Sequence, residues 1–201
     1  MTTIQYHVAG AAPGTPRRAM IDSQLRPSGV NEPWVLAAMA ALAREDYVPA
    51  GQKAAAYIDR AVPLGNGRFL APPIVQARML ATAEPAAADK ALLVSAGSQY
   101  LADLLRPLVA SLDVVDAADV ATGLAGAPYD LIVIDGAIEE LPEVLTSALS
   151  GNGRVVTGLS DKGVTRLALG RKVADAVAFV PLDDIAIPVL GEFAARPSWS
   201  F

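Results

Sequence analysis

Leu92–Tyr100 reads LLVSAGSQY. Its first residues continue the apolar run KALLVS, which is too short for a helix and rich enough for a fully buried strand. Its last residues open SQYLADLLRPLVA, whose apolar positions recur at helical spacing. A buried strand turning directly into a helix is half of a βαβ unit. The same alternation continues on the C-terminal side. SLDVVD and PYDLIVIDG read as strands, LPEVLTSAL as a helix and GRVVTGL as a strand. Short apolar strands alternating with helices predict a parallel sheet covered on both faces. VTRLALGRKV and DAVAFVPLD leave no room for a helix between them, so they predict an antiparallel pair at one sheet edge.

Outward on the N-terminal side the pattern is helical. RRAMIDSQLR places Met20, Ile21 and Leu25 at helical spacing. In NEPWVLAAMAALAR, Asn31 is the predicted cap and Pro33 suits the first turn. Val35, Leu36, Met39 and Leu42 form the apolar stripe, with Trp34 a core residue. AVPLGNGRFLAPP carries the turn GNG and predicts a short hairpin; PPIVQARMLATAE predicts a helix. The expected organisation is a flexible leader over 1–16, a helical cap with a hairpin over 17–87, and a shortened Rossmann-like domain over 88–201.

Composition narrows the function. The 201 residues carry 21 acids against 16 bases, a net charge of −5, which argues against nucleic-acid binding. There is no cysteine and a single histidine, His7, read as solvated surface. Disulfide scaffolds, zinc clusters and cysteine nucleophiles are thereby excluded, and histidine-based mechanisms nearly so. The leader lacks the apolar centre of a secretory signal, and no run of 18 apolar residues exists. The expectation is a cytoplasmic protein with no membrane partner.

MIDSQLRPSGV, VLAAMAALAREDYVPA, AYIDRAVPLGNGRFLAPPIVQARML, APYDLIVIDGAIEELPEVL and GNGRVV, in this order and spacing, resemble the protein-L-isoaspartate O-methyltransferase family over residues 18–201. The resemblance implies a Rossmann-like sheet with S-adenosylmethionine at the carboxyl ends of its strands, and an N-terminal helical cap. It also implies where the sites fall. The family's GQTIS stretch beside the transferred methyl group corresponds to Gly67, Arg68, Phe69, Leu70 and Ala71, so the serine is Ala71 and the threonine Phe69. The family's acid and GTGSGY loop correspond to Leu93 and to Ser95–Tyr100. Ser95 and Gln99 replace two glycines; Gly97, Ser98 and Tyr100 remain as the cofactor-binding candidates.

A glycine in such a loop admits close backbone approach and a positive φ. Ser95 and Gln99 put side chains where the methionine moiety and ribose should lie. The reading preferred for the loop is therefore a strand-to-helix turn with Ser98 as the helix cap. Asp116 lies 19 residues after Gly97, the spacing of a ribose-binding acid. SLDVVD fits either the second or the third strand of the family sheet, and Asp116 fits equally a strand-end acid capping the next turn. Asp135, at the end of a buried strand, is a possible ligand contact or base, or a partner for the amides of the next helix. Glu139 and Glu140 are placed at that helix start. Arg68 is a possible carboxylate contact or an exposed loop residue.

Two functions follow. One is a methyltransferase acting on isoaspartyl carboxylates. The other is a pseudoenzyme, a non-catalytic binding or assembly protein on a degenerate methyltransferase fold, with cofactor binding weak or lost. A different small ligand in a remodelled pocket, lined by Tyr100, Arg68, Asp116 and Asp135, is a weaker third. Only eleven residues separate Asp116 from Pro128, so one strand and one helix of the family fold are missing. The edge so exposed, with 53% apolar residues and a mean hydropathy of +0.37, predicts a homodimer. Alternatively the leader, or Phe193, Trp199 and Phe201, covers the gap.

Overall fold

A computed structural model describes residues 14–122 and 124–195. His7, Trp199 and Phe201, on which three of the expectations fall, lie outside them. Of the leader, Thr15 accepts a hydrogen bond from the Arg18 amide (3.3 Å) and Pro16 opens α1, Pro16–Met20. A π-helical turn, Ile21–Leu25, continues it. α2 spans Pro33–Ala41. Its flanking residue is Glu32, not Asn31: proline at the first helical position sets the start and leaves Asn31 one residue too far out. The Glu32 carboxylate instead accepts from the Asn31 amide (3.1 Å). Val35, Leu36 and Met39 are buried as the stripe predicted, while Leu42 and Trp34 are half-buried.

The GNG turn closes an antiparallel hairpin of β1, Val62–Gly65, and β2, Arg68–Leu70. Gly65, Asn66 and Gly67 all have positive φ (99°, 52° and 74°), which is why small residues occupy the tip. α3, Pro73–Ala83, follows.

The main sheet holds β3 (Lys90–Ser95), β4 (Ser111–Asp116), β5 (Tyr129–Ile138), β6 (Leu149–Asp161), β7 (Val164–Val173) and β8 (Ala176–Asp184). Their order is β4-β3-β5-β6-β7-β8. The first four are parallel to one another, and β7 pairs antiparallel with both β6 and β8, the predicted antiparallel edge. α4, Tyr100–Leu105, links β3 to β4, and α5, Glu143–Ala148, links β5 to β6. Between β4 and β5 the described residues of the crossover hold one 3₁₀ stretch, Ala117–Thr122.

β4 lies directly beside β3, with Ser95 opposite Asp116. In doubly wound sheets the second strand takes this position and the third lies outside it. SLDVVD occupies the position of the second strand, and no strand lies outside it among the described residues.

Both sheet faces are covered, each by its own core. On one, Leu93, Leu131, Val133 and Val156 pack with Met39, Val75, Met79 and Leu101 of the helices. On the other, Leu92, Val94, Ile132 and Val155 pack with Val120, Leu145, Leu149 and Phe193. Phe193 thus covers part of the face thinned by the short crossover.

Residues 185–195 form a strap across the carboxyl end of β5. The Ala137 amide donates to the Pro188 carbonyl and the Leu190 amide to the Ala137 carbonyl, both at 2.8 Å. The amides of Glu139 and Glu140 donate to the Phe193 carbonyl at 3.1 Å. This corrects the placement of the two acids. They sit in a turn held by the strap, and α5 starts only at Glu143.

Candidate functional site

The carboxyl ends of β3 and β4 meet three other pieces of chain: the hairpin tip, the 3₁₀ stretch and the strap. Gly97 takes φ +91°, which the tight exit from β3 into α4 requires. The turn is closed on itself. The Ser95 hydroxyl accepts from the Gly97 amide and donates to the Ser98 carbonyl, both at 3.1 Å. The Ser98 hydroxyl accepts from the Tyr100 amide (3.2 Å), but the residue flanking α4 is Gln99, so Ser98 closes the turn from one place outside the cap position expected of it.

Arg68 is not an exposed loop residue. Its side chain is 18% exposed, and its Nη2 donates to Asp116 Oδ1 at 2.8 Å and pairs with Glu192 Oε1 at 2.7 Å. A Cβ built on Gly97 would lie 3.5 Å from Arg68 Cβ and Cγ, so the arginine stem rests on the open face of the glycine. The hairpin register carries it there, by setting Arg68 opposite Gly65 at the tip. Asp116 Oδ1 also accepts from the Ala118 amide (3.0 Å), the turn-capping alternative. Glu192 was missed in the sequence: it belongs to a strap whose path no local pattern announces.

Two cavities flank this bridge. One, of about 410 Å³, is lined by Arg68, Phe69, Ala96, Val189, Leu190 and Glu192. The other, of about 650 Å³, lies between Ala117–Ala121, Glu140–Val144 and Phe193. Both sit outside the carboxyl ends of the strands, where open α/β sheets bind ligands.

Ala71 and Asp135 lie deeper, in a separate buried cluster. Ala71 is 1% exposed and its carbonyl accepts from Arg44 Nη2. Arg44 is fully buried. Its Nε donates to the Ala56 carbonyl (2.7 Å), its Nη1 to Gln76 Oε1 (2.5 Å), and its guanidinium lies 4.8 Å from the centre of the Tyr100 ring. Gln76 Nε2 in turn donates to both oxygens of Asp135 at 3.2 Å. Asp135 therefore binds a side chain of α3 rather than the amides of a following helix. Burial raises its pKa to about 6, against the opposing influence of Gln76 and the Arg44 charge. Tyr100 is fully buried, edge-on to Tyr47 at 5.1 Å, and burial pushes its phenol up to about 12. Of the predicted site residues, the structure thus groups Arg68, Gly97, Ser98 and Asp116 at the strand ends, and Ala71, Tyr100 and Asp135 around Arg44. Neither Arg44 nor Gln76 was singled out from the sequence.

Among the described residues no group of three or more His, Cys, Asp or Glu is arranged to hold a metal ion. Nor is any helix there long and apolar enough to cross a membrane.

The strand order, the glycine turn after the first central strand and the acid at the end of its neighbour define a Rossmann-like fold of the methyltransferase type. The chain belongs to the protein-L-isoaspartate O-methyltransferase family. Residues 15–116 match the family model for protein-L-isoaspartate(D-aspartate) O-methyltransferase. The chain is 32% identical over 208 aligned positions to the protein-L-isoaspartate O-methyltransferase of Koribacter versatilis, covering 90% of this chain and 94% of that protein. It is 30% identical to that of Methanoculleus marisnigri, covering 88% and 92%. A putative protein-L-isoaspartate O-methyltransferase from Plasmodium falciparum, solved in complex with S-adenosyl-L-homocysteine, shares the fold. Its TM-score is 0.68 at 17% identity, over 88% of this chain and 98% of that one.

Proposed function

We propose that this chain keeps the fold of its family without the methyl transfer, and acts as a binding or assembly domain. The observation that carries the reading is Arg68, which lies over Gly97 and pairs with both Asp116 and Glu192. S-adenosylmethionine is a cation at its sulfonium and needs the backbone of the loop for close approach. Here a guanidinium stem fills the approach to Gly97. The Gly97 amide and an Asp116 oxygen are already taken. Ala71 offers no hydroxyl to orient a carboxylate, and in such a reaction positioning is most of what the protein supplies, because the sulfonium is itself reactive. The residues present do not fit the cofactor.

Family membership supplies the competing reading, an S-adenosylmethionine-dependent methyltransferase acting on isoaspartyl residues. Calorimetry with S-adenosylmethionine separates the two. Three lost polar contacts at about 1–3 kcal/mol each weaken a micromolar ligand by at least about a hundredfold. A radiolabelled-methyl assay with an isoaspartyl peptide is expected to read background, and Ala71→Ser alone to restore nothing. Low-micromolar binding with clear turnover overturns the proposal.

The assembly half of the reading rests on β4. This edge strand has no strand on its outer side among the described residues. The opposite edge, β8, carries Pro181, Asp183 and Asp184, which discourage pairing. On β4 the one central acid, Asp113, is engaged by the Tyr129 hydroxyl at 2.7 Å. A second copy pairing along β4 gives a closed two-fold dimer. Light scattering after size exclusion should return the dimer mass at high micromolar concentration; a monomer mass there rules the dimer out.

A further inference from the structure

We infer that Asn66 is a site of spontaneous covalent modification, where the folded chain converts its own hairpin tip to isoaspartate. The inference does not depend on the loss of methyl transfer proposed above. Three places in the sequence set an asparagine or aspartate before a glycine: Asn66–Gly67, Asp135–Gly136 and Asn152–Gly153. Such a pair can close a five-membered imide, because the backbone nitrogen of a glycine is not shielded by a Cβ.

The fold singles out one of the three. Asp135 is 2% exposed, and both its oxygens accept from Gln76. Asn152 lies inside β6, and its Gly153 is buried, where a Cβ would meet Leu149 Cγ at 2.7 Å and the Ser150 carbonyl at 3.0 Å. Asn66 is exposed at the tip between β1 and β2, outside both strands. Nothing lies within 4 Å of a Cβ built on Gly65 or Gly67, so the ring has room to form. Among the described residues the Asn66 carboxamide makes no hydrogen bond that would hold it away from Gly67. Asn66 stands at φ +52°, a region unfavourable to residues with a side chain, and a glycine on each side lets the tip rotate out of it at little steric cost.

The Gly67 amide nitrogen gives up its proton and attacks Asn66 Cγ. The N–Cγ bond forms, the Cγ–Nδ2 bond breaks, and the nitrogen leaves as ammonia with the proton. Water then opens the imide. Attack at the Asn66 backbone carbonyl leaves Gly67 linked through Cγ, an isoaspartyl residue; attack at Cγ leaves ordinary aspartate. The net change is water in and ammonia out, with no oxidation or reduction. Either product places a carboxylate on the tip that carries Arg68. The isoaspartyl product also lengthens the main chain between Gly65 and Arg68 by one methylene.

The test ages the folded full chain in warm, mildly alkaline buffer beside Asn66→Gly and Asn152→Ser. Glycine accepts φ +52° and cannot form the imide. Tryptic peptide 61–68 of the unmodified chain is expected to gain the mass of oxygen replacing NH and to split into two chromatographic isomers, while the peptide holding Asn152 lags behind. An added, active protein-L-isoaspartate O-methyltransferase with radiolabelled S-adenosylmethionine is expected to label the aged unmodified chain and Asn152→Ser, and Asn66→Gly is expected to lose most of that label. Should Asn66→Gly fail to fold, the two peptides of the unmodified chain decide. Peptide 61–68 left unchanged, or label undiminished in folded Asn66→Gly, overturns the site. Label appearing without the added enzyme overturns the proposed loss of methyl transfer and leaves the site standing.

Discussion

Arg44→Leu is expected to remove about 3–5 kcal/mol of stability, the cost typical of breaking a buried charge network from one side. The guanidinium is fully buried and serves three acceptors on three segments: the Ala56 carbonyl, the Ala71 carbonyl and Gln76 Oε1. Leucine fills much of the volume but leaves all three without a donor, and leaves Asp135 without its nearest cation. Burial pulls the Arg44 proton affinity down from its ordinary value, opposed by Tyr100 and Asp135. Arginine nonetheless stays charged, so the acid cannot be abandoned without penalty. For a chain of this length the thermal midpoint should fall on the order of 10 °C. Arg44→Lys should recover only part of this, because one ammonium cannot reach three acceptors set around a planar fork. Urea unfolding showing a loss below about 1 kcal/mol for the leucine variant would mean that the network contributes little.

Asp135 should give stability an unusual pH dependence. Its pKa is about 6 in the folded chain against 3.8 as an ordinary aspartate, so the folded state holds its proton more tightly than the unfolded one. The stabilising contribution is therefore fully present below pH 3.8 and is lost as pH rises through about 6. A difference of about two units corresponds to roughly 3 kcal/mol. The groups facing it are Gln76, which donates to both its oxygens, and the Arg44 charge beyond. Other carboxylates titrate over the same range, so the quantity to measure is the difference from Asp135→Asn. Between pH 7 and pH 4 the unmodified chain should gain stability relative to that variant. Parallel curves for the two proteins, from urea unfolding at unit pH steps, would rule this out.

The element types and their order were legible because each rests on a local period. The apolar runs ALLV at 91–94 and LIVI at 131–134 are unbroken, and their burial on both faces is what such runs mean in a parallel sheet. Helix lengths and starts were less legible. α5 has six residues and starts only at Glu143, after Glu139 and Glu140 have been captured by the Phe193 carbonyl of the strap, a residue remote in the chain. The site divides the same way. Ser95, Gln99, Leu93 and Ala71 could be read as departures from the family pattern, since each occupies a motif position.

The sequence by itself determined the alternation of strands and helices, the antiparallel edge, the hairpin turn at Gly65–Gly67 and the family. These depend on side-chain periodicity and on turn residues a few positions apart. Tertiary structure alone decided that β4 lies beside β3, because strand neighbours are set by which edge a crossover reaches. It alone decided that Arg44, Gln76 and Asp135 form one buried chain and that Arg68 meets Asp116 and Glu192. An arginine in a loop and an arginine in a core are the same letter. What separates them is whether distant segments bring carboxylates and carbonyls close enough to offset the loss of water, and no local pattern encodes that distance.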